Sequence, residues 1–85
     1  MPYTIEFTTS AERDFKSLDR ALQRRIASRI DALSTDPYPA GVRKLQGEPD
    51  LFRIRVGDYR VIYRVDGKRV RVLIVKVGHR REVYR

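Results

Sequence analysis

Between Leu51 and Val77 the chain alternates apolar and basic residues almost without a break, and two turn dipeptides, Gly57-Asp58 and Asp66-Gly67, divide that run into three strands. Side chains along a strand point alternately to opposite faces, and a two-residue turn sets which residues face each other across a hairpin. Val56 is then expected to face Tyr59, Arg55 to face Arg60 and Arg53 to face Ile62. Across the second turn Val65 should face Lys68, Arg64 face Arg69, Ile62 face Arg71 and Arg60 face Leu73. One face carries Phe52, Ile54, Val56, Tyr59, Val61, Tyr63, Val65, Val70, Val72 and Ile74, interrupted by Lys68 and Lys76, and is the expected core face. The other carries Arg53, Arg55, Arg60, Arg64, Arg69 and Arg71 among Ile62, Leu73, Val75 and Val77. The segment's acids, Asp58 and Asp66, fall in the turns, so no carboxylate is expected on the basic face. Like charges directly opposed on a sheet are destabilising, and Arg55 against Arg60 and Arg64 against Arg69 are two such pairs. They point to an anionic ligand. The alternative is a solvated face on which long arginine stems cover apolar surface.

Upstream, residues Pro2 to Phe7 alternate and read as a short strand. Thr8, Thr9 and Ser10 are N-cap candidates for a helix from about Ser10 to Leu18, with Glu12 in its first turn. Asp19 caps a second helix whose apolar residues Leu22, Ile26, Ile30 and Leu33 recur at four- and three-residue steps; Ala11, Phe15 and Leu18 form the matching stripe of the first. Arg20, Arg24, Arg25 and Arg29 read as solvated outer surface. Pro37 and Pro39 end the helical hairpin, a loop runs to about Gly41, and Val42 to Leu45 reads as a short strand before a turn at Gly47 to Asp50. The order predicts an α+β fold: an N-terminal strand, a helical hairpin, then a three- to four-stranded antiparallel sheet with one face under the helices and one open.

With 85 residues the chain is expected to form a single domain over residues 1–85, with a thin core and no room for a deep pocket. It has no cysteine and one histidine. Disulfides, thiolate nucleophiles and zinc held by cysteine are therefore excluded, no metal or cofactor is expected, and a reducing compartment is suggested. No run approaches a membrane span and no signal-peptide pattern is present, so a cytoplasmic location is expected. Nineteen Lys and Arg against eleven Asp and Glu leave a net charge of +8, which calls for a polyanionic partner, nucleic acid first. Guanidinium suits phosphate because one arginine donates two parallel hydrogen bonds to it. Tyr59 and Tyr63 fall on the core side, which argues against a base-stacking platform on the basic face.

The tail, expected to leave the last strand at Gly78, offers His79, Arg80, Arg81 and Tyr84, groups able to move a proton or hold a charged phosphorane. Each also has an ordinary structural role open to it, such as surface hydrogen bonding or anchoring of the tail.

The segment from Lys44 to Tyr63 (KLQGEPDLFRIRVGDYRVIY) and the tail from Val77 to Tyr84 (VGHRREVY) resemble the corresponding motifs of RelE/ParE-superfamily toxins, the tail being of the RelE type. The resemblance implies the toxin of a type II toxin–antitoxin pair, an endonuclease that cuts messenger RNA in the ribosomal A site and is silenced by an acidic, RelB-like antitoxin. In that pattern the ribose 2′-OH attacks the adjacent phosphate, leaving a 2′,3′-cyclic phosphate and a 5′-OH. The motif positions map onto Arg53, Arg55, Arg60, Arg80 and Tyr84 as the reacting site and Lys44 as a basic contact; Arg64 and Arg71 of the basic face and Arg81 of the tail are expected as further RNA contacts. RelE-type enzymes often carry lysine where this chain has Arg53 and Arg55, and arginine is a poor general base, so His79 becomes the candidate proton carrier. Two rival expectations share the resemblance: a ParE-like inhibitor of DNA gyrase without nuclease activity, and a non-catalytic module that only binds antitoxin.

Overall fold

The structure is a computed structural model, and it describes residues 2–79. Its elements are β1 (Thr4–Phe7), α1 (Thr9–Lys16), α2 (Arg20–Ala32), β2 (Arg43–Lys44), β3 (Leu51–Val56), β4 (Tyr59–Asp66) and β5 (Arg71–His79). They form one five-stranded sheet in the order β1-β5-β4-β3-β2. β1 runs parallel to β5 and every other neighbouring pair is antiparallel, so the α+β architecture holds, with β1 joining the sheet at its far edge.

The helices begin where the capping residues stand. The Thr8 hydroxyl accepts a hydrogen bond from the Ala11 amide at 3.1 Å, and the Asp19 carboxylate accepts one from the Leu22 amide at 2.9 Å, each satisfying a first-turn donor that the helix leaves free. The Gln23 side-chain amide donates to the Phe15 and Lys16 carbonyls at 3.1 and 3.3 Å, so α2 closes the C-terminal end of α1. Ile26, Ile30 and Leu33 of this hairpin, with Ala11, are buried against Ile54, Val56, Val61, Tyr63, Val65, Val72, Ile74 and Val77 of the sheet. Phe15, Leu18 and Leu22 lie at the margin of that core. Burial and the nearby Tyr38 and Asp36 push the Tyr63 phenol above its ordinary pKa, and its hydroxyl donates to the Pro37 carbonyl at 2.7 Å. This bond ties the loop after α2 to the middle of the sheet. No helix among the described residues is long and apolar enough to cross a membrane.

The first hairpin has the expected register: Val56 pairs with Tyr59, Arg55 with Arg60 and Arg53 with Ile62, with Gly57 at φ 61°. The second does not. Asp66 pairs with Arg71, so the connection is four residues long, and Arg64 faces Leu73 rather than Arg69. The Asp66 carboxylate accepts from both the Lys68 and the Arg69 amides at 3.1 Å, which stabilises the wider turn and places Val70 at a positive φ of 51° instead of in the core face.

A second correction lies within β5. Tyr63 pairs with Ile74 but Ile62 pairs with Lys76, leaving Val75 as the extra residue of a β-bulge. Beyond it the alternation is inverted. Val77 is buried in the core, where a basic-face position was expected, and Lys76 leaves the core face. The strand also continues through His79 rather than ending at Gly78.

Candidate nucleic-acid interface

Strand pairing assembles the basic residues in rows. Arg43, Arg53, Ile62 and Lys76 follow one another across β2, β3, β4 and β5, and the next row holds Arg55, Arg60 and Gly78. Arg29 of α2, the 40–42 loop, Arg43, Arg53 and Arg55 line a cleft of about 540 Å³ at the β3 edge, with no acid in its lining. Burial, and after it the charges of Arg43 and Arg55, lower the Arg53 pKa from its ordinary value. Arg60 is 5% exposed, and its guanidinium donates to the Tyr59 carbonyl at 3.4 Å.

The outer half of the face is different, and the expectation of a face without carboxylates fails there. Arg64 donates to Asp50 at 2.8 Å and to Glu48 at 3.0 Å, and its hydrogen bond to Glu48 is the main reason its pKa is raised. Arg71 meets Glu6 at 3.4 Å, and Arg69 lies 3.9 Å from Asp66. Glu48 and Asp50 come from the turn before β3 and Glu6 from β1, segments outside the hairpin run, while Asp66 closes β4 within it. At the β2–β3 edge, by contrast, Arg43 and Arg55 form no ion pair among the described residues.

Of the site residues expected from the sequence, Arg53, Arg55 and Arg60 come together. Lys44 does not join them: it pairs with Phe52, whose ring packs against Tyr38 and Tyr63, and so leaves the sheet on the helix-covered side. His79 pairs with Tyr59, and the two rings meet edge-on at 5.5 Å, which puts the imidazole on Tyr59's side of the sheet, away from Arg55 and Arg60. Arg64 and Arg71 stand in their ion pairs. Arg80, Arg81 and Tyr84 lie outside the described residues. Sequence reasoning missed Arg43 and Arg29. Arg43 was one step from recognition, because a strand pairing across the Gly47 turn sets it opposite Arg53; Arg29 carries no sequence signal, since only the packing of α2 on the sheet brings it to the cleft.

The fold is a small α+β domain that carries an arginine-lined cleft at its sheet edge. Residues 5–84 match the family model of the ParE toxin of the type II toxin–antitoxin system parDE. Over 86 residues the chain is 37% identical to toxin RelG of Mycobacterium tuberculosis, covering 100% of this chain and 99% of that one. It is 27% identical to the mRNA interferase toxin RelE of Escherichia coli K12, over 99% of this chain and 92% of that one. Among solved structures, the toxin of the archaeal RelE–RelB complex from Pyrococcus horikoshii OT3 superposes with a TM-score of 0.83 at 36% identity, covering 94% and 97% of the two chains. The chain belongs to the ParE toxin family, within its RelE branch, and is the toxin of a type II toxin–antitoxin system.

Proposed function

We propose that this toxin is a ribosome-dependent endoribonuclease of the cytoplasm that cuts messenger RNA in the A site, acts as a single domain over residues 1–85, and is silenced by an acidic, RelB-like antitoxin. The observation that carries this reading is the convergence of Arg43, Arg53 and Arg55 on a cleft without acids, next to Arg60. Similarity to a relative named as an mRNA interferase supports it.

In the proposed step the ribose 2′ oxygen bonds to the adjacent phosphorus and the bond from phosphorus to the 5′ oxygen breaks. The 2′ proton is lost, the 5′ oxygen gains one, and the products are a 2′,3′-cyclic phosphate and a 5′-OH. The phosphorane between them carries an extra negative charge. Guanidinium groups at Arg53, Arg55, Arg60 and Arg80 would bind that charge more strongly than the ground-state diester, which lowers the barrier. Tyr84 would stack on or orient the nucleotide, and Lys44, Arg64, Arg71 and Arg81 would contact the backbone outside the scissile step. Arginine stays protonated and does not serve as a base. With His79 on the opposite side of the sheet, catalysis rests on charge and on the positioning of the codon by the ribosome, and free RNA should be a poor substrate.

Primer extension on a defined messenger in a purified translation system, with and without ribosomes, tests the proposal. Cuts at A-site codons that require ribosomes and fade in Arg60→Ala and Tyr84→Phe are expected. An intact messenger in every lane overturns it and directs attention to a gyrase cleavage assay, the activity expected of a ParE-like toxin.

A further inference from the structure

The β5 bulge determines what stands opposite Arg60. Were Val75 an ordinary strand residue, pairing would continue from Tyr63–Ile74 to Ile62–Val75, Val61–Lys76, Arg60–Val77 and Tyr59–Gly78. An ammonium would then lie in the core, and a branched side chain would face Arg60. The extra residue shifts the remainder of the strand by one: Lys76 pairs with Ile62, Val77 with Val61, Gly78 with Arg60 and His79 with Tyr59. Bulges of this kind re-aim side chains and are common beside functional sites.

Lys76 is tied from outside the sheet. Its ammonium lies 3.5 Å from Asp14 Oδ2 on α1, and that oxygen is buried and accepts no hydrogen bond. The charge of Lys76 is thus the compensation Asp14 has among the described residues. The two side chains join Ser17, Leu18, Tyr59, Val77 and Gly78 around a concavity of about 250 Å³, so the pair sits directly beside the strand end that leads to the tail. In the observed register Val77 takes the core position in place of Lys76, and the ammonium meets Asp14 at the margin of the sheet. The ion pair and the bulge thus accompany each other.

We propose that Asp14 and Lys76 are positioning residues: their ion pair holds the Val75 bulge, and through it the register that sets Gly78 against Arg60. The kinetic part of this inference rests on the nuclease reading; the structural part does not.

The test uses the full chain with Asp14→Asn, Lys76→Met, Lys76→Arg and the exchanged pair Asp14→Lys with Lys76→Asp. In ribosome-programmed cleavage, Lys76→Met and Asp14→Asn are expected to lower the single-turnover rate about tenfold while leaving the ribosome concentration at half-saturation unchanged. Lys76→Arg should retain the wild-type rate, and the exchanged pair should recover most of it. Independently of any cleavage, cross-strand NMR contacts between Arg60 and Gly78 should persist in the wild type and in Lys76→Arg. They should weaken in Lys76→Met and Asp14→Asn, with residues 76–79 giving doubled resonances. If those contacts are unchanged in Lys76→Met, the inference is overturned. If the wild type itself fails to cut, the nuclease reading falls and the NMR result alone decides the latch.

Discussion

Arg60 on β4 stands directly opposite Gly78 on β5, in a register that exists because one extra residue, Val75, bulges out of the strand three residues earlier. Opposed residues in an antiparallel pair hold their Cβ atoms about 4.5–5.5 Å apart, so a side chain at position 78 would lie against the stem of an arginine that is itself nearly buried. Gly78→Val is expected to displace the Arg60 guanidinium and lower messenger cleavage by about tenfold or more. Circular dichroism and thermal unfolding should show the fold retained. Wild-type cleavage by this variant would mean that the space opposite Arg60 has no role.

The two faces of the sheet separate Arg60 from His79, and this yields a contrast between them. Arg60→Ala should lower the rate by about 10²–10³, the usual loss on removing one group that stabilises developing charge. His79→Gln should cost less than about tenfold, because the imidazole packs on Tyr59 and not beside the arginines. Single-turnover rates on programmed ribosomes compare them, and a loss at His79 equal to that at Arg60 would restore it as a proton carrier.

Arg43 is exposed at the sheet edge and lines the cleft with Arg53 and Arg55. Removing one phosphate contact from a single-stranded complex reduces the slope of log affinity against log salt by about 0.7. Arg43→Gln should therefore weaken binding of a short RNA and flatten its salt dependence by roughly that amount. Arg64→Gln should change the slope less, since its guanidinium is already occupied by Asp50 and Glu48. Fluorescence anisotropy titrations at several salt concentrations would measure both.

Tyr63→Phe removes the donor to the Pro37 carbonyl and should destabilise the protein by about 1–3 kcal/mol, because a buried acceptor is left unpaired. The phenol's pKa is raised on folding, so its protonated form is favoured in the native state. That contribution is complete below about pH 10, the ordinary tyrosine value, and is lost as the pH rises above it. Urea unfolding of the wild type and Tyr63→Phe between pH 8 and pH 11 should show the difference in stability shrinking at the alkaline end.

Val70 sits at a positive φ of 51°, where a β-branched side chain clashes with its own backbone. Val70→Gly should relieve strain of order 1–3 kcal/mol, offset in part by glycine's larger loss of freedom on folding, for a net gain of about 1 kcal/mol. A rise in Tm of several degrees for a domain of this size is the expected reading. A fall would show that the Val70 side chain contributes packing that outweighs the strain.

Local chemistry made much of this molecule legible. Thr8 and Asp19 could be recognised as caps because a side-chain acceptor satisfies donors two or three residues away, a distance set by the chain itself. The stripe of Ile26, Ile30 and Leu33 follows from helical periodicity, and Arg55 opposite Arg60 follows from the two-residue turn at Gly57. The motifs around Lys44 to Tyr63 and Val77 to Tyr84 pointed to the family for the same reason: their content lies in spacing along the chain.

Tertiary structure decided what depends on partners distant in sequence. The Asp66 turn widened because its carboxylate captured two amides, and a period-two reading has no means of weighing that capture. Three carboxylates neutralise the outer arginines although Glu48, Asp50 and Glu6 are 16, 14 and 65 residues from their partners. Arg29 reached the cleft through the packing of α2, and His79 was turned from the arginines by a single bulged residue. Alternation along a strand is a local rule, so the sequence alone determined which residues could share a face. Which charges remained without acids, and which groups finally met, was set by the close approach of segments whose separation along the chain carries no such information.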